Sequence, residues 1–420
     1  MAAPGLGYFA AVTTSLDLAA ARAHFPGLEG PWALFDNAGG SLPARPVIER
    51  IQGYLESMCV QLGATYPRSA ASTEAVASGH HAVATLLNAA PEEVVLNGSS
   101  TLNAHLLATA LAPSFSPGDE IVVTNLDHEA NIGAWRRLER QGLVLREWSF
   151  DPETQRLLPE TLEPLLNDRT RLVCFTHCSN VVGSIHDVKD ITRRVHAAGA
   201  RVCVDGVAYA PHRPLDVKDW DVDFYLFSPY KVYGPHLGAL YGKKEHLLEA
   251  ANLNHYFFAE DAIPYKLQPG NVSHELAAGL PGIVEYFERV AATSGVVGDS
   301  PRARIEALGA LLAEHEASLA APLLELLASK PGVRILGEPS ADPTLRVPTV
   351  AFTVEGRHSE QIATALEKYQ VAARWGDFYA ARAMKALGLE RQGGIVRVSM
   401  VHYNAPEEVS RLVQALDAIL

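Results

Sequence analysis

The sequence predicts an α/β protein with a seven-stranded, mostly parallel sheet, followed by a smaller α+β unit. Two observations indicate this. Between residues 93 and 242, short apolar runs alternate with helix-like segments, and such alternation is typical of parallel strands joined by right-handed crossovers. After residue 291, a long helix-like segment leads into several strand-like runs and a last helix.

The length of 420 residues exceeds what one compact core usually holds. We therefore predict three parts. Residues 1–30 form an N-terminal arm with a helix, residues 31–290 form a large domain, and residues 291–420 form a small C-terminal domain. Part of the N-terminal segment is expected to join the small domain.

Seven apolar runs are the predicted strands of the large sheet. In chain order they are EVVLNG, EIVVTN, LVLREWSF, RLVCFTH, ARVCVDG, VDFYLFS and LGALYG. Helix-like segments such as STLNAHLLATALA and VKDITRRVHAAG separate the earlier strands. Only a short turn separates the last two runs, so one of them is expected to be antiparallel.

The smaller unit begins with helical segments and continues with four strand-like runs. These runs are VRILGE, TVAFTVE, VAARWG and GIVRVSMV. The chain then ends in the helical stretch NAPEEVSRLVQALDAIL. Asn404 with Glu407 three residues later predicts a capping box at the start of this helix.

Composition excludes several classes of partner. The net charge is −13 and no basic run is present, so neither nucleic acid nor a membrane is expected as a partner. No apolar window is long enough to span a bilayer. The N-terminus lacks the basic region of a signal peptide, so a cytoplasmic location is expected. The four cysteines match no zinc or disulfide pattern, and we predict no metal site.

Polar residues follow the predicted strands at their carboxyl ends, where open α/β sheets bind ligands. These residues are Ser99, Ser100, His128, Asn180, Asp205, Ser228 and Lys231. Ser99 and Ser100 open a helix, whose free N–H groups favour a phosphate, although a simple serine cap would look the same. Asp205 follows a run of valines, so its carboxylate needs a cation or a donor, or it caps the next segment.

Taken together, these residues fit pyridoxal phosphate. A lysine binds this cofactor covalently, a carboxylate keeps its pyridine nitrogen protonated, and small donors hold its phosphate. A buried, electropositive pocket would help Lys231 to lose its proton.

The order of the motifs GSS, DHEAN, THCSNVVG, VDGVAYAPH and SPYKVYGP resembles the class V aminotransferase group of fold-type I pyridoxal-phosphate enzymes. The cysteine desulfurase and selenocysteine lyase branch is the most similar, and a set of cysteine desulfurase-like proteins more so. The resemblance extends from FDNAGGSLP to VRVSMVHYN. It implies a homodimer with its active site at the subunit interface and an amino acid as the substrate.

The resemblance also implies a role for each residue of the cofactor site. Lys231 would bind the cofactor and move the substrate proton, Asp205 would pair with the pyridine nitrogen, and His128 would stack on the ring. Asn180 would lie near the phenolic oxygen and the substrate. The phosphate would be held by Ser99, Ser100, Ser228 and, from the partner subunit, Asn271.

The substrate site follows from the same resemblance. Arg397 looks like the arginine that binds the substrate carboxylate, for which bidentate geometry is the physical reason. Arg397 could instead form a structural salt bridge. Arg374 is a second candidate for binding the substrate carboxylate. Ala38 and Gly39, in the turn at residues 37–40, would line the substrate pocket.

Three departures from the desulfurase pattern stand out. The loop at residues 374–380 has no cysteine, and the position of the family's thiol lies at or near Tyr379. Ala208 replaces a glutamine that often donates to the cofactor. Tyr230 replaces the histidine before the lysine, and a phenol with a pKa of about 10 relays protons less readily than an imidazole at about 6.5. Cys178, the thiol nearest the site, is interpreted as a packing residue.

The predicted activity is therefore β-elimination by a cysteine desulfurase-like C–S lyase that works without a persulfide cysteine. An amino-acid epimerase and an aminotransferase are alternatives. Epimerisation needs a second acid or base, for which Tyr230, Tyr379 and His236 are candidates. A degenerate protein that binds the cofactor without turnover is the alternative outside enzymes.

Overall fold

The first elements of the described chain are three α-helices and a two-residue strand. The computed structural model describes residues 15–420, so residues 1–14 of the predicted arm, and of the N-terminus assessed as a signal peptide, lie outside it. The first elements are α1 (Leu18–Arg22), β1 (Ala33–Leu34), α2 (Arg45–Ser57) and α3 (Pro67–Leu87).

The seven-stranded sheet predicted from the sequence is confirmed. Its strands are β2 (Val94–Asn97), β3 (Glu120–Thr124), β4 (Val144–Trp148), β5 (Thr170–Thr176), β6 (Arg201–Asp205), β7 (Phe224–Phe227) and β8 (Gly238–Gly242). Their order is β2-β8-β7-β6-β5-β3-β4. Strands β3 to β7 pair in parallel, whereas β8 is antiparallel to β7 and β2, as expected for one of the last two strands.

Helices cover both faces of this sheet. They are α4 (Ser100–Leu111), α5 (Ala130–Arg136), α6 (Pro159–Leu162), α7 (Val188–Ala197) and α8 (Lys244–Glu249). Val94 and Leu96 belong to one buried apolar cluster, and Val95 belongs to another. Because successive side chains of a strand point to opposite faces, the continuous apolar runs in the sequence reflect burial on both sides.

The rest of the chain forms a second, antiparallel sheet with helices around it. Its elements are α9 (His274–Gly279), α10 (Pro281–Thr293), α11 (Pro301–Ser329), β9 (Val333–Leu336), β10 (Thr349–Val354), α12 (Ser359–Leu366), β11 (Val371–Ala372), β12 (Arg374–Gly376), α13 (Ala381–Ala386), β13 (Ile395–Ser399) and α14 (Pro406–Ile419). The strand order is β12-β13-β10-β9, with antiparallel pairing.

The run VAARWG was predicted as one strand but forms two. Residues 371–372 pair with β1, and residues 374–376 pair with β13. The chain thus leaves one partner and joins another, a change that a single apolar run does not reveal. The pairing with β1 joins residues 33–34 to the C-terminal part of the chain, and the domain boundaries at residues 30 and 290 stay a prediction.

The capping prediction for the last helix was wrong by one residue. Ala405 is the N-cap of α14, and the Glu408 carboxylate accepts a hydrogen bond from the Ala405 amide at 2.9 Å. The Asn404 side chain instead bonds to Leu34, Val401 and Glu408. Pro406 at the first helical position fixes where the helix begins. Across residues 15–420, no helix combines the length and the apolar character needed to cross a bilayer.

Candidate active site

Seven of the predicted site residues line one cavity at the carboxyl ends of the large sheet. They are Ser99, Ser100, His128, Asn180, Asp205, Ser228 and Lys231. The cavity encloses about 80 Å³ of free space. They meet because parallel strands end at the same edge of the sheet.

Lys231 lies in the turn after β7 and is buried. The segment Pro229–Lys231 forms one turn of 3₁₀ helix, and the Lys231 amide donates to the Ser228 carbonyl at 3.0 Å. Burial and the positive charge of Arg397 lower the pKa of the Lys231 amine to about 8, although Asp205 opposes part of this effect. The amine therefore becomes neutral far more readily than a solvated lysine, which makes it a candidate nucleophile and base.

Asp205 is the last residue of β6, and its carboxylate is buried in the same cavity. One oxygen accepts a hydrogen bond from the Val207 amide at 2.9 Å. Burial raises the pKa of Asp205, while this hydrogen bond and the Lys231 charge lower it in part. A protonated ring nitrogen in the cavity would favour the ionised carboxylate, as an ion pair does.

The three serines meet where β2 and β7 end. The Ser100 hydroxyl donates to the Phe227 carbonyl at 2.7 Å and lies 2.8 Å from the Ser228 hydroxyl. The Ser99 hydroxyl accepts from the Leu102 amide at 3.1 Å, so it caps α4. The helix N-terminus nevertheless opens into the cavity, where its free N–H groups suit an anion.

His128 lies above this group on the segment between β3 and α5. Its Nδ1 accepts a hydrogen bond from the Ala130 amide at 3.1 Å. Burial, with the charges of Lys231 and Arg397, lowers the pKa of His128 to about 4. The ring is therefore neutral near pH 7 and suited to stacking on an aromatic ligand. Its visible aromatic neighbour is Tyr379, at 5.2 Å between ring centroids.

Arg397 lies beside Asn180, one of the residues that line the cavity, and is already bonded within the chain. Its Nη1 donates to the Asn180 carbonyl at 3.0 Å, and its Nη2 donates to the Asp36 carboxylate at 2.9 Å. The Phe378 ring covers one face of the guanidinium at 3.8 Å. The Asn180 side-chain amide donates a hydrogen bond to the Phe378 carbonyl at 2.9 Å.

The other predicted substrate residues surround this arginine. Arg374 is the cross-strand partner of Arg397, and its Nη1 lies 3.9 Å from the second oxygen of Asp36. The Ala38 amide donates to the Ser399 hydroxyl at 2.8 Å. Gly39 follows in the same turn, and a Cβ there would lie 3.2 Å from an Asp36 oxygen.

Asn271 is the one predicted site residue that lies elsewhere. It is exposed, its φ is 71°, and its side chain bonds to His274 at 3.1 Å. It lines a second cavity with His255 and Phe257. Its predicted role in the phosphate site of a partner subunit requires a dimer.

Tyr230 and Ala208 also line the main cavity. The Tyr230 ring stacks on His236, with 4.5 Å between centroids and 3° between planes. Burial raises the pKa of the Tyr230 hydroxyl, and a hydrogen bond with Ser228 opposes this rise. Ala208 offers no side-chain donor.

The thiol that lines the cavity is poorly suited to act as a nucleophile. Cys178 lines the cavity, and burial raises the pKa of its thiol to about 12. The loop over the site instead presents Phe378 and Tyr379, whose φ angles are 52° and 59°. The Phe378 carbonyl accepts from the Asn180 side chain, and the Tyr379 carbonyl accepts from the Glu129 amide. These two bonds hold the strained pair beside the site.

Several residues of the site were missed by sequence reasoning. Asn131 and Thr176 line the cavity, and Asp127 is buried beside Asn131, which donates to it at 2.9 Å. Burial raises the pKa of Asp127 to about 8. The sequence gives a weak indication for Asp36, since it directly precedes the glycine turn at residues 37–40. No sequence feature indicates a role for Phe378.

The residues present fit pyridoxal phosphate. The Oδ1 of Asn131 is buried beside the cavity without a hydrogen-bond partner, so a polar ligand would satisfy it. A buried carboxylate, a readily deprotonated lysine and serine hydroxyls at a helix N-terminus supply the donors and charges that this group requires. Lys231, Asp205, His128 and the three serines are the residues that would hold it.

Comparisons with known proteins agree with this chemistry. The family model described as aminotransferase class-V matches residues 33–412. The chain is 40% identical over 417 residues to an aminotransferase-like protein, FGM3, of Gibberella zeae, covering 97% of this chain and all of that protein. It is 36% identical to a cysteine desulfurase-like protein, ustD, of Aspergillus flavus, covering 96% and 91% of the two chains. A cysteine desulfurase of Thermococcus onnurineus has a similar structure, with a TM-score of 0.83, 25% identity and coverage of 100% and 99%.

Proposed function

We propose that this chain, which belongs to the class V aminotransferase family, is a C–S lyase. Members of this family use pyridoxal phosphate. The lyase would act on an amino acid that bears sulfur on its β-carbon, and no persulfide cysteine would take part. When bound, pyridoxal phosphate supplies an electron sink for the negative charge that develops at Cα.

Lys231 is the proposed base. With a pKa of about 8, a useful fraction of its amine is neutral near pH 7, and a base with a pKa near the working pH is the most effective. The amine takes the proton from Cα. The Cβ–S bond then breaks, and its electron pair leaves with sulfur, which departs as a thiol or as sulfide. Water then hydrolyses the remaining enamine, so the expected products from cysteine are pyruvate and ammonia beside the sulfide.

Arg397 is proposed to hold the substrate carboxylate. Its guanidinium is buried beside Asn180, which lines the cavity, and a planar fork of donors fixes the orientation of a carboxylate. This would orient the Cα–H bond toward Lys231. The loop at residues 374–380 is held by the hydrogen bond from Asn180 to the Phe378 carbonyl. Its Phe378 ring, which covers the Arg397 guanidinium, would limit the access of water to the reacting atoms.

The observation that carries the proposal is that the loop at residues 374–380 contains no cysteine. Desulfuration through a persulfide needs a thiolate that reaches the sulfur of the substrate. The loop at residues 374–380 presents Phe378 and Tyr379 instead, and the Cys178 thiol has a pKa of about 12. Sulfur that is expelled therefore leaves without being captured by the chain.

Product analysis tests the proposal. The cofactor-loaded enzyme would be incubated with a panel of L-amino acids that includes cysteine, S-alkyl-cysteines and selenocysteine. Pyruvate with an equal amount of thiol, sulfide or selenide is expected. Alanine with sulfane sulfur would contradict the proposal, since it marks a desulfurase.

The same experiment separates the alternatives. Uptake of solvent deuterium at Cα with loss of optical activity would mark an epimerase, and a new keto acid that retains its β-substituent would mark an aminotransferase. If no amino acid is changed although the cofactor binds, the protein is a degenerate binder.

A homodimer with shared active sites is part of the proposal. Tyr256, Phe257 and Tyr265 are large exposed side chains near Asn271, and clustered exposed aromatic groups favour a protein interface. Sedimentation equilibrium is expected to give twice the chain mass. Mixing the inactive Lys231→Ala variant with an Asn271→Ala variant should restore part of the activity, because mixed dimers contain one intact site. A monomer at micromolar concentration would contradict this. The cytoplasmic location remains a prediction.

A further inference from the structure

The carboxylate of Asp36 bonds to Arg397, the residue proposed to hold the substrate carboxylate. It accepts from Nη2 of Arg397 at 2.9 Å, although 361 residues separate the two in the chain. Nη1 of the same arginine is held by the Asn180 carbonyl at 3.0 Å, and the Phe378 ring covers one face of the guanidinium. The edge that Asp36 occupies is therefore the edge on which a carboxylate can bind by two hydrogen bonds.

The exposure of the two side chains indicates which of them can move. The Arg397 side chain is only 2% exposed, whereas the Asp36 side chain is 34% exposed. Asp36 can thus move toward solvent, while Arg397 cannot. The Nε of Arg397 is also buried without a hydrogen-bond partner. A ligand carboxylate that replaced Asp36 could use this donor as well.

A second arginine, Arg374, lies close enough to pair with the Asp36 carboxylate. Arg374 and Arg397 are direct partners on β12 and β13, so their side chains share one face of the sheet. Two like charges in this arrangement repel each other, and Asp36 lies between them. Its other oxygen is 3.9 Å from Arg374 Nη1, and the Arg374 side chain is 55% exposed. A small rotation of Asp36 would strengthen the contact with Arg374 as it leaves Arg397.

We propose that Asp36 occupies the carboxylate-binding site of Arg397 in the resting enzyme and moves to Arg374 when a substrate carboxylate binds. Asp36 is then a residue that sets substrate affinity, because every substrate must displace it. This inference rests on the proposed function, in which Arg397 binds the substrate carboxylate. If Asp36 served only as a structural counter-ion for Arg397, its removal would weaken carboxylate binding instead of strengthening it.

Propionate is a suitable probe, because it has a carboxylate but no amino group with which to react. Its Kd would be measured by calorimetry on the cofactor-loaded dimer. Asp36→Asn should lower the Kd about tenfold, which corresponds to about 1.4 kcal/mol. Asp36→Ser serves as a second variant if the first does not fold. Asp190→Asn is the matched control, since Asp190 pairs with Arg193 and Arg194 on α7, and it should leave the Kd unchanged. An unchanged or higher Kd in the Asp36 variants would overturn the proposal.

A double-mutant cycle tests the transfer to Arg374. Arg374→Gln alone should raise the propionate Kd severalfold, because Asp36 then has no second cation. In the Asp36→Asn background, the same change should have little effect. An equal effect in both backgrounds would show that Arg374 attracts the ligand directly, and the transfer would be wrong.

Arg397→Lys separates this inference from the proposed function. Loss of propionate binding in this variant is expected. If Arg397→Lys binds propionate as well as the unaltered protein, or if neither the unaltered protein nor the Asp36 variants bind it, the role of Arg397 fails. If Arg397→Lys loses binding while Asp36→Asn binds no more tightly, the role of Arg397 stands and only the inference about Asp36 fails.

Discussion

A buried ion pair holds the long helix α11 against the segment that follows Asp205. Glu316 on α11 is fully buried, and its two oxygens accept from His212 at 3.0 Å and from Arg213 at 2.8 Å. Arg213 and His212 lower the pKa of Glu316, against the effect of its burial. We predict that Glu316→Gln strongly destabilises the protein, because it leaves the Arg213 charge buried without a counter-ion.

The magnitude follows from how little of each partner is exposed, which is 0% of the Glu316 side chain and 10% of the Arg213 side chain. Breaking a buried pair from one side costs about 3–5 kcal/mol. Glutamine keeps the volume and one acceptor oxygen of Glu316, so the lower end, about 3 kcal/mol, is expected. Glu306 lies on the same helix but is half-exposed, where it pairs with Arg302 at 2.6 Å. The matched change Glu306→Gln should cost less than about 1 kcal/mol.

The assay is urea unfolding of both variants, followed by tryptophan fluorescence, with free energies from linear extrapolation. The double variant Glu316→Gln/Arg213→Met should recover more than about 1 kcal/mol of the loss, since it removes the unpaired charge. A loss below about 1 kcal/mol for Glu316→Gln, or one equal to that of Glu306→Gln, would refute the reasoning. No recovery in the double variant would show that packing, not charge, is the source of the effect.

Three further predictions concern the sheet, the thiol and the response to pH. Gly238→Ala should abolish cofactor binding while the circular dichroism stays unchanged, because a Cβ there would lie 2.0 Å from the Ser99 carbonyl carbon; normal binding, read from the cofactor absorbance, would contradict this. Cys178→Ala should keep full turnover with cysteine, since its thiol is interpreted as a packing group, and loss of turnover in a folded variant would be evidence for a chemical role. A hydrogen bond to Asp223 raises the pKa of His196 above 6.5, so this stabilisation is complete below that pH and is lost as the pH rises through the folded-state pKa. The stability difference between the unaltered protein and His196→Gln should therefore shrink from mildly acidic to alkaline pH, and a difference that does not vary with pH would argue against it.

The sequence by itself determined the large sheet and the residues along its edge. Strand and helix periodicity is local, and the position of a residue directly after an apolar run is local as well. Lys231, Asp205 and the serines could therefore be assigned to one edge, since parallel strands end together. Their shared cavity follows from this rule, although their roles remain proposals.

The tertiary structure alone decided what surrounds these residues. Asp36 bonds to Arg397, and the Phe378 ring covers the Arg397 guanidinium. Both are contacts between distant parts of the chain, which no local pattern encodes. The exchange of strand partners at residues 371–376 and the cap at Ala405 depend on neighbouring elements in the same way. The degree of burial that brings the Lys231 amine toward neutrality is likewise a property of the packed cavity, because desolvation depends on all the atoms that exclude water from a charge.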